Sequence, residues 1–106
     1  MFEQNKPKLE AWAEIMKAMA HPSRLFILEE LAKGEKCVCE LTEMIGADTS
    51  TVSKHLSLLK NAGILDADKR GTQVYYRLAT PCVLNFFECV ERVLREKVTA
   101  QLRILK

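Results

Sequence analysis

The stretch VCELTEMIGADTSTVSKHLSLLKNAG, residues 38–63, carries two short runs of helical apolar periodicity with a glycine between them. Within each run the apolar side chains are three or four residues apart, as on one face of a helix. They are Val38, Leu41, Met44 and Ile45 in the first run and Val52, Leu56 and Leu59 in the second. Glycine commonly ends a helix, and the residues ADTS after Gly46 supply cap side chains. Two short helices joined by such a turn predict a helix-turn-helix, which we place at about residues 37–62.

Two further helices are predicted before this motif. In KPKLEAWAEIMKAMA, residues 6–20, apolar side chains at spacings of three and four indicate a helix at about residues 8–19. Pro22 suits the first turn of a second helix, with His21 near its cap, because proline lacks the N–H that a first turn leaves unpaired. This second helix is expected to end at Gly34.

After the motif the chain changes to β-forming residues and then back to a helical pattern. Residues 64–78 are rich in β-formers and contain an Arg70-Gly71 pair that suits a tight turn, which predicts a hairpin, or wing, at these positions. Residues 81–105 carry a long apolar stripe. Because that stripe is too apolar on one side to stand alone, we expect it to pack against the first helix and against a second copy of the chain.

The order α-α-α-α-β-β-α predicts a mainly α winged helix-turn-helix that occupies residues 1–106 as a single domain. A chain of 106 residues suits one domain and leaves a marginal core, so a dimer through the N- and C-terminal helices is a reasonable expectation. A small α+β domain without a nucleic-acid role fits the same periodicity and stays open as an alternative.

The second helix of a helix-turn-helix enters the major groove and presents its early residues to the base edges. In this chain those residues are Ser50, Thr51, Ser53, Lys54 and His55. The wing tip adds three residues that can contact DNA backbone or minor groove, Lys69, Arg70 and Gln73. Capping and solvation are the less favoured roles for the Ser and Thr residues. His55 could either face a phosphate or pack against the preceding helix.

Positive charge is concentrated in this part of the chain. Residues 50–77 contain five Lys or Arg and two Asp, a net charge of +3, whereas the whole chain carries only +2. Contacts between such side chains and phosphate supply most of the salt-dependent affinity for DNA. The polar run, the wing and the charge therefore coincide and favour a DNA-binding surface.

Other classes of protein find little support in the sequence. No apolar run approaches the ~20 residues that span a bilayer, and the N-terminus lacks a secretory pattern, so we expect a cytoplasmic protein with no membrane role. Thiols stay reduced in that compartment, and four cysteines there favour metal or redox chemistry over a disulfide framework. We find no phosphate-binding loop, no paired carboxylates and no Cys–His pair at recognisable spacing, so we do not expect an enzyme.

Two segments resemble the ArsR/SmtB family of metal-responsive repressors. They are AHPSRLFILEELAKGEKCVCELTEMIGADTSTVSKHLSLLKNAGIL, residues 20–65, and KRGTQVYYRL, residues 69–78. The likeness extends over about residues 10–95. It implies a homodimer that binds an imperfect palindrome in double-stranded operator DNA. It also implies that an inducer lowers the affinity for DNA and releases transcription of a resistance or efflux operon.

The segment CVCEL, residues 37–41, is similar to the inducer-binding motif of the arsenic-responsive branch of that family. The similarity implies that Cys37 and Cys39 hold trivalent arsenic or antimony, As(III) or Sb(III), which are thiophilic and suit soft thiolate ligands. Positions two apart diverge by about 200° around a helix. The two thiols can therefore cooperate only if the first turn is not fully helical. Closing both sulfurs on one ion would distort this turn and move the DNA-reading helix packed against it.

The third bond to arsenic has no obvious donor. Many arsenic-sensing members have a third cysteine three residues after the second, where this chain has Thr42. Cys82 and Cys89 are additional candidates, but their seven-residue spacing separates them by about 10.5 Å along a helix. That is too far for the two to join each other. Each acts with another element or serves as a small buried hydrophobe.

Two other inducers remain open for the same fold. One is an oxidant or persulfide, sensed by Cys37 or Cys39 together with Cys82 or Cys89. The other is a soft metal such as cadmium or lead, although family members that sense these add cysteines from an N-terminal arm, and this chain has none before residue 37. A protein-interaction domain, which would show no salt-dependent DNA binding, is a further alternative.

Overall fold

The computed structural model describes residues 1–105 of the chain. Within that range the elements are α1 Phe2–Met19, α2 Pro22–Leu31, β1 Lys36–Cys37, α3 Val38–Ile45, α4 Thr49–Asn61, β2 Leu65–Arg70, β3 Gln73–Leu78 and α5 Val83–Leu105. The mainly α winged helix-turn-helix predicted from the sequence is confirmed. Helices α3 and α4 form the helix-turn-helix, and strands β2 and β3 form the wing.

Strand β1 was not predicted from the sequence. It is two residues long and pairs antiparallel with β3, so the sheet has the order β1-β3-β2. Two residues are too few to show the alternation by which strands are recognised, and only the approach of the wing reveals this one. The pairing sets Cys37 opposite Tyr75, so the residue before α3 is attached directly to the wing.

The local start and stop signals act largely as expected. The Nδ1 atom of His21 accepts a hydrogen bond from the backbone N–H of Ser23 at 3.0 Å, which makes His21 the cap of α2. Gly46 ends α3 in the left-handed conformation, with φ of 77°. The last helix begins two residues later than predicted, at Val83, because Pro81 opens a turn of shorter-range hydrogen bonds instead.

The core lies between α2, α3, α4 and the base of the wing. Its largest fully buried side chains are Ile27, Leu28, Leu41, Val52, Leu56, Leu59 and Leu65. Three of these belong to α4, whose apolar face is thereby fixed inward. The opposite face of α4 is consequently presented to solvent.

The terminal helices contrast with this core. None of the described residues of α5 is buried, and in α1 only Met19 is. Large apolar side chains remain exposed on both helices, namely Leu9, Trp12, Ile15, Met16, Phe86, Val90, Val93, Leu94, Val98 and Leu102. Exposed apolar surface of this extent marks an interaction surface. Over residues 1–105, no helix combines the length and the apolar character needed to cross a membrane.

Candidate DNA-reading face and thiol site

The start of α4 is fixed by Asp48. Its carboxylate accepts a hydrogen bond from the backbone N–H of Thr51 at 2.8 Å and another from the Ser50 hydroxyl at 3.3 Å. The hydrogen bonds from Thr51 hold the pKa of the Asp48 carboxyl below its usual value, so the cap is ionised at neutral pH. Asp48, and not Ser50, is therefore the cap, and Ser50 and Thr51 are exposed beside it.

Three of the five residues predicted to read DNA from α4 are fully exposed: Ser50, Thr51 and Lys54. Ser53 and His55 are half-buried. Ser57, which the sequence analysis passed over, is exposed and lies three residues after Lys54 on the same side of the helix. The first two turns of α4 therefore expose a polar surface that carries the positive charge of Lys54.

His55 packs against the start of α2, whereas the sequence analysis offered a phosphate or the preceding helix as its neighbour. Its ring centroid lies 4.6 Å from that of His21, and its Nδ1 accepts a hydrogen bond from Arg24 Nε at 3.1 Å. Partial burial lowers the pKa of His55, and the neighbouring His21 and Arg24 lower it further. His55 is thus an uncharged acceptor at neutral pH.

Arg24 was missed by the sequence analysis although it joins three helices. Besides its bond to His55 on α4, its Nη1 donates to the carbonyls of Lys17 and Ala18 at the end of α1, at 3.3 and 3.1 Å. A cation near the last carbonyls of a helix also interacts favourably with the helix dipole. The segment HPSR, residues 21–24, is the only local signal that could have indicated this role.

The wing presents its three predicted residues differently. Lys69 and Gln73 are exposed. Arg70 is also at the surface, but its guanidinium donates to both carboxylate oxygens of Glu35, at 2.6 and 3.1 Å. It also contacts Asp68 at 3.4 Å and lies 4.7 Å from the centroid of the Tyr75 ring. Arg70 is therefore already engaged within the chain.

Cys37 and Cys39 are joined by a disulfide, with their Cα atoms 5.3 Å apart. Cys37 is not helical: it is the cap of α3, with extended backbone angles of φ −81° and ψ 161°. Cys39 is the second residue of the helix. The condition set by the i, i+2 spacing is therefore met by placing the first cysteine just before the helix, without any distortion inside it.

The thiol pair is built into the cap of α3. Glu40 N–H donates to the Cys37 sulfur at 3.3 Å, and Glu40 Oε1 accepts from the Cys37 backbone N–H at 3.2 Å, which completes a capping box. The two cysteines differ in access, since Cys37 is 3% exposed whereas Cys39 is at the surface. A change at the Cys37 sulfur is therefore a change at the first hydrogen bonds of the helix-turn-helix.

The other two cysteines are free thiols on the surface. Cys82 lies in the turn before α5 and Cys89 in its second turn, and both are exposed. The view of them as buried hydrophobes is wrong for the described chain. Nor does either pair with Cys37 or Cys39, as the redox alternative supposed. Across residues 1–105, no three His, Cys, Asp or Glu side chains converge to hold a metal ion.

Thr42 occupies the position at which many arsenic-sensing family members have a third cysteine. Its hydroxyl oxygen is buried and has no hydrogen-bond partner among the described residues. A buried hydroxyl without a partner is uncommon and costs free energy. We have no physical account of it.

Comparison with known proteins agrees with this architecture. Residues 21–67, which contain α2, the thiol pair, the helix-turn-helix and the start of the wing, match the bacterial regulatory protein family arsR. The chain is 39% identical over 87 residues to MJ1325, an HTH-type transcriptional regulator of Methanocaldococcus jannaschii. That match covers 81% of this chain and 98% of MJ1325. The chain belongs to the ArsR/SmtB family.

Other similar proteins match over different lengths. The transcriptional repressor SmtB of Mycobacterium tuberculosis is 38% identical over 71 residues, which are 67% of this chain but only 53% of SmtB. The homodimeric winged helix-turn-helix domain of Mb0332 from Mycobacterium bovis is 34% identical and superposes with a TM-score of 0.76, covering 91% of this chain and 89% of that one. The antimony-specific repressor AntR is 32% identical, with a TM-score of 0.68 over 80% of this chain and 78% of AntR.

Proposed function

We propose that the protein is a homodimeric repressor that binds operator DNA and releases it when Cys37 and Cys39 close on trivalent arsenic or antimony. One observation carries the proposal: the chain brings the two sulfurs together at the first residue of its helix-turn-helix. Membership of a family of transcriptional regulators supports the DNA-binding part.

DNA binding is supported by what α4 presents to solvent. The apolar side of α4 is buried in the core, so the polar side that carries Ser50, Thr51 and Lys54 is available to a major groove. Hydroxyl groups can pair with bases or phosphates, and lysine can pair with either. Lys69 on the wing adds a cation for the DNA backbone.

A homodimer is supported by the exposed faces of α1 and α5. A groove of about 920 Å³ between α2 and α5 has an apolar floor and three carboxylates at its edge, Glu29, Glu88 and Glu91. The α1 helix exposes large apolar side chains along one side, and its three lysines are balanced by three glutamates. The apolar side of a second copy would cover this groove, and the relative Mb0332 is homodimeric.

The choice of inducer is supported by the donor chemistry. Two thiolates form a soft ligand pair, which suits thiophilic ions, and a helix N-terminus favours the thiolate form. The similar repressor AntR is specific for antimony. Since two sulfurs are in place and the described residues offer no third donor nearby, the third bond would come from a small thiol, from solvent or from the second copy of the chain.

Release would follow from the position of the pair. The Cys37 sulfur accepts the Glu40 N–H in the capping box, so an ion held between the two sulfurs would act directly on the first turn of α3. Helix α3 packs against α4, so a shift in that turn moves the exposed face of α4. An inducer can lower the affinity for DNA only to the extent that it binds the DNA-releasing arrangement of the chain more tightly than the DNA-binding arrangement.

A thiol-redox switch is the second candidate function. The disulfide between Cys37 and Cys39 favours it, because the two thiols need only lose two electrons and two protons to an oxidant to form this bond. In this version the two cysteines act with each other, and Cys82 and Cys89 have no part in it.

The DNA-binding part is tested by fluorescence anisotropy on a labelled fragment of the chain's own promoter. Lys54→Ala should weaken binding by reduced protein and lower the slope of log affinity against log salt by about one. Lys97→Ala, which removes the same charge from α5, should leave both unchanged. Equal effects of the two substitutions would show that α4 is not the DNA-reading helix. Adding arsenite, cadmium, zinc and an oxidant in turn then identifies the inducer.

A further inference from the structure

Arg70 is held by the segment that leads into the thiol pair. Its guanidinium makes a two-pronged contact with Glu35, which lies two residues before Cys37. The positive charge of Arg70 on the wing is thus neutralised by a carboxylate that lies next to the thiol pair.

Arg70 is also connected to the segment of Glu35 and Cys37 by a second set of contacts, through Tyr75. Arg70 lies over the ring of Tyr75, and Tyr75 is the strand partner of Cys37 in the pairing of β1 with β3. The chain then runs back from Cys37 to Glu35. A movement of Cys37 therefore acts on Arg70 by two routes, through the strand pairing and through the position of the Glu35 carboxylate.

We propose that Glu35 links the thiol pair to the wing by competing with DNA phosphate for Arg70. When Cys37 and Cys39 are closed, Glu35 holds the Arg70 guanidinium. When they are open, Arg70 turns to a phosphate of the operator. This inference rests on the proposed function, and the observation behind it is that one structure combines the closed cysteine pair with the Glu35–Arg70 contact.

Arg70 can exchange the Glu35 carboxylate for a DNA phosphate because the two acceptors are alike. Carboxylate and phosphate both accept the parallel N–H groups of arginine. Both Glu35 and Arg70 are substantially exposed, at 38% and 48%. Exposed ion pairs contribute little to stability, so Arg70 can leave Glu35 without unfolding the hairpin. A small difference between the open and closed states is therefore enough to change the partner of Arg70.

The test compares Glu35→Gln with Asp66→Asn. The second substitution makes the same charge change on the wing, where Asp66 pairs with Arg77 at 3.7 Å, but it leaves the Cys37 segment untouched. On promoter DNA, the loss of affinity caused by arsenite should be about two- to fivefold smaller for Glu35→Gln than for Asp66→Asn. Arg70→Lys, which keeps the charge but not the fork, should show the same reduced response. Equal losses in Glu35→Gln and Asp66→Asn would overturn the proposal.

A second measurement needs neither DNA nor arsenite. The diazene oxidant diamide closes a pair of thiols by accepting two electrons and two protons, and becomes its hydrazine. The Nε–H signal of Arg70 in ¹⁵N-resolved NMR, assigned with Arg70→Lys, should shift when diamide closes the pair in the natural chain and shift less in Glu35→Gln, where only the route through the strand pairing remains. A signal that does not respond in the natural chain would overturn the link between the pair and Arg70. A failure of arsenite to release DNA, with this signal still responding, would instead count against the proposed inducer.

Discussion

The helix-turn-helix unit and the terminal helix region each contain two cysteines, and they use them in opposite ways. Helical geometry disfavours both pairs as partners, because residues two apart diverge by about 200° and residues seven apart, although on one face, are about 10.5 Å apart. The structure joins Cys37 to Cys39 and leaves the other two as free surface thiols. The difference arises because Cys37 lies in an extended segment before α3. Where a helix begins matters more than the periodicity within it.

The same two regions differ in how they are stabilised. Helices α3 and α4 bury Leu41, Val52, Leu56 and Leu59, whereas none of the described residues of α5 is buried. The helix-turn-helix unit therefore keeps its shape through its own core. The terminal helix depends on a second molecule to cover its apolar side, as the proposed dimer would.

The largest expected effect distinguishes stability that comes from the chain's own core from stability that comes from a second copy. Leu41→Ala, which opens a cavity in the core, should lower the free energy of unfolding by about 2–5 kcal/mol. Val98→Ala on α5 should cost less, and its cost should vary with protein concentration because in the proposed dimer that side chain packs against a second copy. Urea unfolding at several protein concentrations measures both. A concentration-independent loss of the same size for both substitutions would contradict the comparison.

A smaller effect is expected at the capping box. Glu40→Ala removes the acceptor of the Cys37 N–H, which should destabilise the reduced protein by about 0.3–1.5 kcal/mol. Glu43→Ala, at an exposed position one turn later on the same helix, should change stability by no more than about 0.5 kcal/mol. Denaturant unfolding measures the stability of the two variants. Equal losses would show that the negative charge on α3, and not the hydrogen bond of the cap, stabilises the start of the helix.

The smallest expected effect is a dependence on pH that belongs to the helix-turn-helix unit. The pKa of His55 is lower in the folded chain than the ordinary value of 6.5, so the unfolded chain binds more protons near that pH. The stability contributed by neutral His55 is therefore present above about pH 6.5 and is lost as the pH falls through the lowered folded value. In His55→Asn, whose amide oxygen can still accept from Arg24, this part of the pH dependence should vanish. If the unfolding free energies of the two proteins keep a constant difference between pH 7.5 and 5, His55 is not the source of the pH dependence.

Most of the fold could be predicted from the sequence because its elements carry strong local signals. Apolar periodicity located α3 and α4, and Gly46 and Gly63 marked their ends. Residues without such signals were missed. The strand β1 is too short for alternation, and α1 extends to Phe2, well before its apolar stripe begins.

The candidate site was predictable in its chemistry but not in its connections. The cysteine motif indicated a thiol pair, and the resemblance to a family supplied an inducer. The contacts of Arg70 with Glu35 and of Arg24 with His55 join residues 35 and 31 positions apart, and no local pattern reports such long-range pairs. Consequently Arg70 was predicted as an outward-facing DNA contact and His55 as facing either a phosphate or the preceding helix, whereas each is bonded to a residue that neither prediction named.

The central claim is that closing Cys37 with Cys39, without the cysteines of the terminal region, releases DNA. Its most direct test is the anisotropy of promoter DNA with reduced protein during titration with arsenite, compared between Cys82→Ser/Cys89→Ser and Cys37→Ser/Cys39→Ser. The first variant should lose affinity by the same factor as the natural chain, in the range of about 5- to 150-fold that couplings between sites usually reach. The second should not respond. Release that persists in Cys37→Ser/Cys39→Ser, or that disappears in Cys82→Ser/Cys89→Ser, would contradict the account.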